Sequence, residues 1–226
     1  MKKLLRKSQI SKHGFTLAEV LITLVIVGVV AALTIPSVIN KYREQTLKSQ
    51  FKKAFSTLSQ AVYKTEMNDF YGYAKCFCNG DGCNTLTLSD CENFYNAFAK
   101  NLQVQKVCMG NSKSEGCVPQ YQSYYLSTSS CSGYNEDFVN NRNYSYVLSD
   151  GLIINVHGGT SFFPMMLVDI NGHKGPNAYG KDLFSLAIIR GDETGLSFGM
   201  KGICEFPVEG GRRTNEMILY ALADKK

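Results

Sequence analysis

Histidine and proline are both scarce: the 226 residues hold three His and five Pro. With so little Pro and an ordinary apolar share of 44%, collagen-like, low-complexity and disordered classes are excluded. The three His are His13, His157 and His173, and none follows His173. That bears on Gly195-Leu196-Ser197-Phe198-Gly199, which matches G-x-S-x-G. A nucleophile elbow needs a strand before its serine, a helix after it and a later His. Gly202 and Pro207 follow closely and the His is missing, so Ser197 is expected to be an ordinary strand residue between turns. No H-E-x-x-H and no phosphate-binding loop occurs, and no internal repeat is visible. A distributed basic surface is lacking too. The net charge is +5, but Lys2, Lys3, Arg6, Lys7 and Lys12 supply all of it within the first fourteen residues, which hold no acid. The remainder is formally neutral, so no specific nucleic-acid partner is expected.

What is present begins with the run from Phe15 to Ile35, 21 residues with Glu19 as the one charge. As a helix it spans about 30 Å, the thickness of a bilayer core. A secretory signal peptide has a shorter apolar region ending at an A-x-A-like site, and Ala31-Ala32-Leu33 does not supply one. The run is therefore expected to stay as a membrane helix. The positive-inside rule gives a tie, because Lys41, Arg43, Lys48, Lys52 and Lys53 follow the span as five bases precede it. Cysteine breaks the tie. Cys76, Cys78, Cys83, Cys91, Cys108, Cys117, Cys131 and Cys204 all lie beyond the span. A Cys-rich domain belongs in an oxidising compartment, which puts the C-terminal part outside and the basic leader inside. Disulfides are expected, with the pairing left open, since eight cysteines pair in 105 ways. Cys76-x-Cys78-x4-Cys83 lacks the C-x2-C spacing and paired His of common zinc modules.

Glu19 is out of place in an apolar span, where a carboxylate is costly and points to function. A cut between Gly14 and Phe15 would create an α-amine near it, and the two would pair in a low-dielectric setting. The stretch Gly14-Phe15-Thr16-Leu17-Ala18-Glu19-Val20-Leu21 resembles the prepilin signature of type IV pilins and type II secretion pseudopilins. Gly28, Ala31-Ala32 and Pro36 fall at the 14th, 17th–18th and 22nd positions after the cut, where that family has Gly, Ala-Ala and Pro. Ala18 departs from the bulkier aliphatic residue usual there. The resemblance covers about residues 1–60. It implies cleavage after Gly14 by prepilin peptidase and N-methylation of Phe15. It implies a single-pass subunit of the bacterial inner membrane with its N-terminus cytoplasmic, later drawn into a periplasmic or surface filament. Glu19 would neutralise the amine of a neighbouring Phe15, and Pro36 would kink the helix. The partners implied are the peptidase, other pilin or pseudopilin subunits and an inner-membrane assembly platform. The chain is then a structural subunit and not an enzyme, and its large Cys-rich head points to a minor component. The alternative is a membrane-tethered extracellular ligand-binding or enzymatic module, which leaves Gly14, Phe15, Glu19 and Pro36 unexplained.

The rest of the chain organises around that helix. Leu47, Phe51, Ala54, Phe55, Leu58, Ala61 and Val62 recur at three- and four-residue spacing, with Lys48, Lys52, Lys53 and Gln60 on a face read as solvated. One helix is expected from about Phe15 to about Phe70, bent at Pro36 and stopped by Gly72. Ser89-Asp90-Cys91-Glu92 reads as a capping box opening a second helix, with Phe94, Phe98 and Leu102 on one face. Residues 110–143 read as an irregular excursion stapled by disulfides. Strands are expected at 144–148 and 152–156 around Ser149-Asp150-Gly151, then at 162–168, 183–190 and 196–200, with a short helix at 215–223. The fold class is α+β, a pilin-like long helix on a small antiparallel sheet. Its parts are a leader (1–14), a membrane or filament-core helix (15–36), the amphipathic half of that helix (37–72) and an extracytoplasmic head (73–226). Asp169, Asn171, Asn177 and Asp182, spaced by Gly172, Gly175 and Gly180, offer oxygens and turns that suit Ca²⁺. The competing reading is a loop whose Asn and Asp cap its own turns.

Overall fold

The structure, a computed structural model, describes residues 14–69, 76, 91–121, 136–142, 144–156, 164–190, 198–203 and 207–223. The chain divides into two compact units, one ending at Glu44 and one beginning at Gln45. A single helix, α1 (Leu17–Asp69), contributes to both. It starts two residues later than Phe15, and it runs on through Pro36, which cannot donate to the Ala32 carbonyl. Gly72, Cys78, Cys83, Ser89, Cys131, Ser197 and Cys204 lie outside the described residues.

In the second unit the outer half of α1 behaves as its spacing predicts. Phe51, Ala54, Phe55, Leu58, Ala61 and Val62 are all buried. They pack with Phe94 and Phe98 of α2 (Glu92–Lys100) on one face of a six-stranded sheet. The strands are β1 (Val104–Met109), β2 (Tyr144–Leu148), β3 (Ile153–Val156), β4 (Met165–Asp169), β5 (Leu183–Arg190) and β6 (Phe198–Gly202). They pair in chain order, every pair antiparallel, which is the α+β arrangement expected of a pilin-like head. The ring of Phe51 meets that of Phe184 edge-on, 4.7 Å between centroids at 72°. A last helix, α3 (Thr214–Ala223), packs along β5 and β6. Its Asn215 side chain accepts from the Gly202 N–H at 2.8 Å and donates to the Gly202 carbonyl at 3.3 Å.

Three expectations need correction. The regular part of α2 begins only at Glu92, and Cys91 at its cap position makes no side-chain cap bond, because its sulfur is joined to Cys76. The lysine face of α1 is not simply solvated: Lys48 lies over the Tyr220 ring at 5.3 Å, and Lys53 pairs with Asp150 at 2.8 Å. The sheet also has a sixth strand, β1, where the sequence shows only a weak alternation. β1 is an edge strand with one fully buried side chain, Cys108, so its pattern carries little periodic signal.

The second face of the sheet is covered as well. Cys108, Cys117, Val118, Tyr121 and Val139 pack on Ile153, Leu167, Tyr179 and Leu183. This is where the expected excursion sits, and its described parts form a packed layer. The Cys108–Cys117 disulfide ties it to β1. Asn140 exchanges hydrogen bonds with the Tyr121 backbone, and buried Asn155 donates to the Val139 carbonyl at 2.9 Å and to Ser145 at 2.8 Å. Burial on both faces explains why β3 reads Ile-Ile-Asn-Val without alternation.

Candidate functional site

Two places concentrate the residues singled out in the sequence. The first is the start of α1. Residues 14–16 are not helical, so the Gly14–Phe15 bond lies in open backbone ahead of the helix. Phe15 is 89% exposed. The helix starts at Leu17 because Thr16 and Glu19 build a capping box. The Thr16 N–H donates to Glu19 Oε2 at 2.8 Å, and the Glu19 N–H donates to Thr16 Oγ1 at 3.2 Å. The Thr16 hydroxyl adds a third bond, donating to the same Glu19 Oε2 at 2.8 Å. Two of the helix's orphan donors are thereby satisfied, and the carboxylate sits where the helix dipole favours it.

Beyond this cap the helix presents apolar side chains all round. Leu17, Leu24, Val25, Val27 and Leu33 are each more than 60% exposed. None of the most apolar stretch of α1 is buried among the described residues, and the helix is long and apolar enough to cross a membrane. A helix of this kind is stable only against lipid or other helices. Pro36 lies just past the stretch, within α1.

The second place is the loop between β4 and β5, where the structure brings Asp169, Asn171, Asn177 and Asp182 together. Asp169 Oδ1 accepts from the N–H groups of Asn171 at 3.2 Å and Gly172 at 2.8 Å. Its Oδ2 accepts from the Tyr121 hydroxyl at 2.8 Å. Asp182 Oδ2 accepts from the Asn177 N–H at 2.8 Å and from Asn171 Nδ2 at 3.1 Å, and its Oδ1 from the Ala178 N–H at 2.7 Å. The carboxylates thus clamp the loop to itself and to the layer on the second sheet face. Gly172 is fixed by this packing: a Cβ there would stand 2.3 Å from the Gly151 carbonyl oxygen, and its φ is +67°. A cation would have to displace N–H and O–H donors from these oxygens, although Asn171 Oδ1 is buried with no partner among the described residues. Among the described residues no group of three or more His, Cys, Asp or Glu is placed to hold a metal. Millimolar Ca²⁺ separates the two readings. A clamp shows no melting shift, whereas a calcium site shows a rise that Asp182→Ala abolishes.

The clamp carries a pH signature. Burial first, then the nearby Asp182 charge, push the Asp169 carboxyl up to about 8 against the pull of its three donors. Burial also raises Asp182, and it raises the Tyr121 hydroxyl with help from Asp169. An unfolded Asp titrates near 3.9. Between about pH 4 and pH 8 the folded chain therefore holds a proton that the unfolded chain has released. Asp169 thus stabilises the fold most at the acid end, and that contribution falls as pH rises through this window. Asp169→Asn imitates the protonated acid, so it should flatten the fall in melting temperature between pH 4 and pH 8. An unchanged slope in the variant would exclude Asp169 as its source.

Sequence reasoning placed Gly14, Phe15, Glu19 and the four loop residues, but it missed Thr16 and Tyr121. The signal for Thr16 was present, since Thr16-Leu17-Ala18-Glu19 is itself a T-x-x-E capping box. Tyr121 meets Asp169 across 48 residues, and no local pattern announces that contact.

Comparison with known families gives one finding. Residues 10–35 match the prokaryotic N-terminal methylation motif. This is the signature of type IV pilins and pseudopilins, and it supports a pilin-like substrate of prepilin peptidase. No curated protein and no solved structure matches the chain.

Proposed function

We propose that this chain is a filament subunit, cut after Gly14, methylated on Phe15 and assembled through α1. The observation that carries the reading is the conjunction at the N-terminus. A non-helical Gly14–Phe15 bond, a capped Glu19 and an uncovered apolar helix lie within the residues that match the methylation motif. Anchored in the inner membrane with its leader cytoplasmic, the subunit keeps its apolar helix in lipid. In a filament the same surface packs on the helices of other pilin or pseudopilin subunits, delivered by an inner-membrane assembly platform. A buried ion pair between Glu19 and a neighbouring amine adds little net stability but fixes register. The head, covered on both sheet faces and bearing two described disulfides, supports a minor pilin or pseudopilin over the main repeating unit.

The test separates this from a tethered binding or enzymatic module. In a host with peptidase and platform, Glu19→Ala should be inserted and cleaved like the parent chain, yet its incorporation into sheared filaments should fall at least about tenfold. A module merely anchored by α1 gives no incorporation with or without the substitution.

A further inference from the structure

We propose that a polar cavity in the second unit binds a hydroxylated carboxylate of monosaccharide size, a hexuronate in chemical class. The inference goes beyond the filament reading and does not depend on it. The cavity has a volume of about 300 Å³, at the small end of ligand sites. One wall is a stripe of α1, formed by Lys53, Thr57, Gln60 and Lys64. Their three- and four-residue spacing puts them on one helix face. The other wall is the turn between α2 and β1 together with the β2–β3 hairpin. These two segments are fastened to each other. The Ser149 N–H donates to the Gln103 carbonyl at 3.0 Å, and the Ser149 hydroxyl donates to Gln103 Oε1 at 3.2 Å. Buried Leu102 and Leu148 supply the apolar part of the lining. The walls are thus held before any ligand arrives, which lowers the ordering cost of binding.

The charges select a monoanion. Asp150 Oδ2 pairs with Lys53 at 2.8 Å, and its Oδ1 accepts from the Leu152 N–H at 3.2 Å, so Lys53 is already neutralised. Lys64 remains as a lining cation with no partner among the described residues. The amides select hydroxyl groups. Gln60 Nε2 donates to Ser56 Oγ at 3.2 Å, and Asn101 Nδ2 donates to Thr65 Oγ1 and to the Ala97 carbonyl, both at 3.1 Å. Their carbonyl oxygens are left to accept. Gln103, whose oxygen is taken by Ser149, keeps its NH2 to donate, and the Thr57 hydroxyl can do either. A sugar hydroxyl also does both, so this mixture suits a polyol ring whose one carboxylate meets Lys64. A phosphate group brings nearly two charges and acceptors only, and it would meet one unpaired ammonium among carbonyl oxygens.

The test titrates the full chain, at low salt in a sugar-free detergent, with galacturonate and glucuronate. Galactose is the neutral control and acetate the control without hydroxyls, and binding is followed by ligand-observed NMR. The expected Kd for at least one hexuronate is about 1–10 mM, with both controls at least about tenfold weaker. Lys64→Gln should weaken that binding at least about fivefold and leave the melting temperature unchanged. Lys113→Gln removes the same charge from an exposed position outside the cavity, and it should bind within about twofold of the parent. The methyl glycoside of the bound acid separates two sources. Binding equal to that of the free acid supports the site and admits the end of an acidic polysaccharide, whereas binding of the free acid alone supports it for the free sugar acid. No saturable binding of either hexuronate below about 50 mM overturns the proposal. Parental binding by Lys64→Gln, or galactose or acetate binding as well as the hexuronate, overturns it too.

Discussion

Replacing Gly14 by Val should leave the chain uncut, with its N-terminal leader still attached, while the melting of the head should not change. The fold gives Gly14 nothing to do. It is exposed, it precedes the helix, and a Cβ there meets no atom of the described residues within 4 Å. Any demand for glycine must therefore come from a partner that closes around the backbone at this point, and a peptidase gripping the scissile bond is such a partner. A branched side chain that displaces the bond by about 1 Å from attack geometry costs on the order of a hundredfold in rate. Cleavage of Gly14→Val by prepilin peptidase should fall by at least that factor, read as the ratio of cut to uncut chain by mass. Parental cleavage of this variant would mean that the glycine serves no recognition at the site.

Phe51→Ala should destabilise the second unit by about 3–5 kcal/mol. Phe51 is 1% exposed and joins α1 to the sheet through the Phe184 ring of β5. Its edge-on meeting with Phe184 and its stacking on Phe55 at 6.1 Å are lost together. The aromatic pair alone is worth about 0.5–1.5 kcal/mol beyond area, so a double-mutant cycle with Phe184→Leu should return a coupling of that size. Denaturant melts of the full chain in detergent measure both quantities. Val107→Ala is the control, since Val107 on the edge strand is 43% exposed and should cost no more than about 0.5 kcal/mol. A Phe51→Ala loss below about 1 kcal/mol would show that α1 is not part of the head's core.

What could be read from the sequence followed from periodicity and from local chemistry. The stripe from Phe51 to Val62 was legible because a helix repeats its buried face every three to four residues. β5 was legible as Leu183–Arg190 because it is long and bounded by turn residues. β1 was not, because an edge strand with a register shift between Val104 and Lys106 breaks the alternation that would announce it. The second covering layer was hidden for a different reason. Its anchors are polar and distant in sequence, Tyr121 to Asp169, Asn155 to Val139 and Ser145 to Ser112. Such pairings leave no periodic trace. At the N-terminus the residue types were legible, and what the structure adds is a hydrogen-bonded relation between Thr16 and Glu19. In the loop after β4 the same residues suit a cation or a clamp on paper. In the structure these carboxylates accept from N–H and O–H groups, and the calcium titration decides between the two readings.

The most direct test of the filament reading is the mass of the mature N-terminus, measured on the full chain expressed with and without an active prepilin peptidase. The account predicts a chain that begins at N-methylated Phe15 when the peptidase is present and at Met1 when it is absent. A chain that begins at Met1 beside an active peptidase would contradict it, and α1 would then be a plain membrane tether for the head.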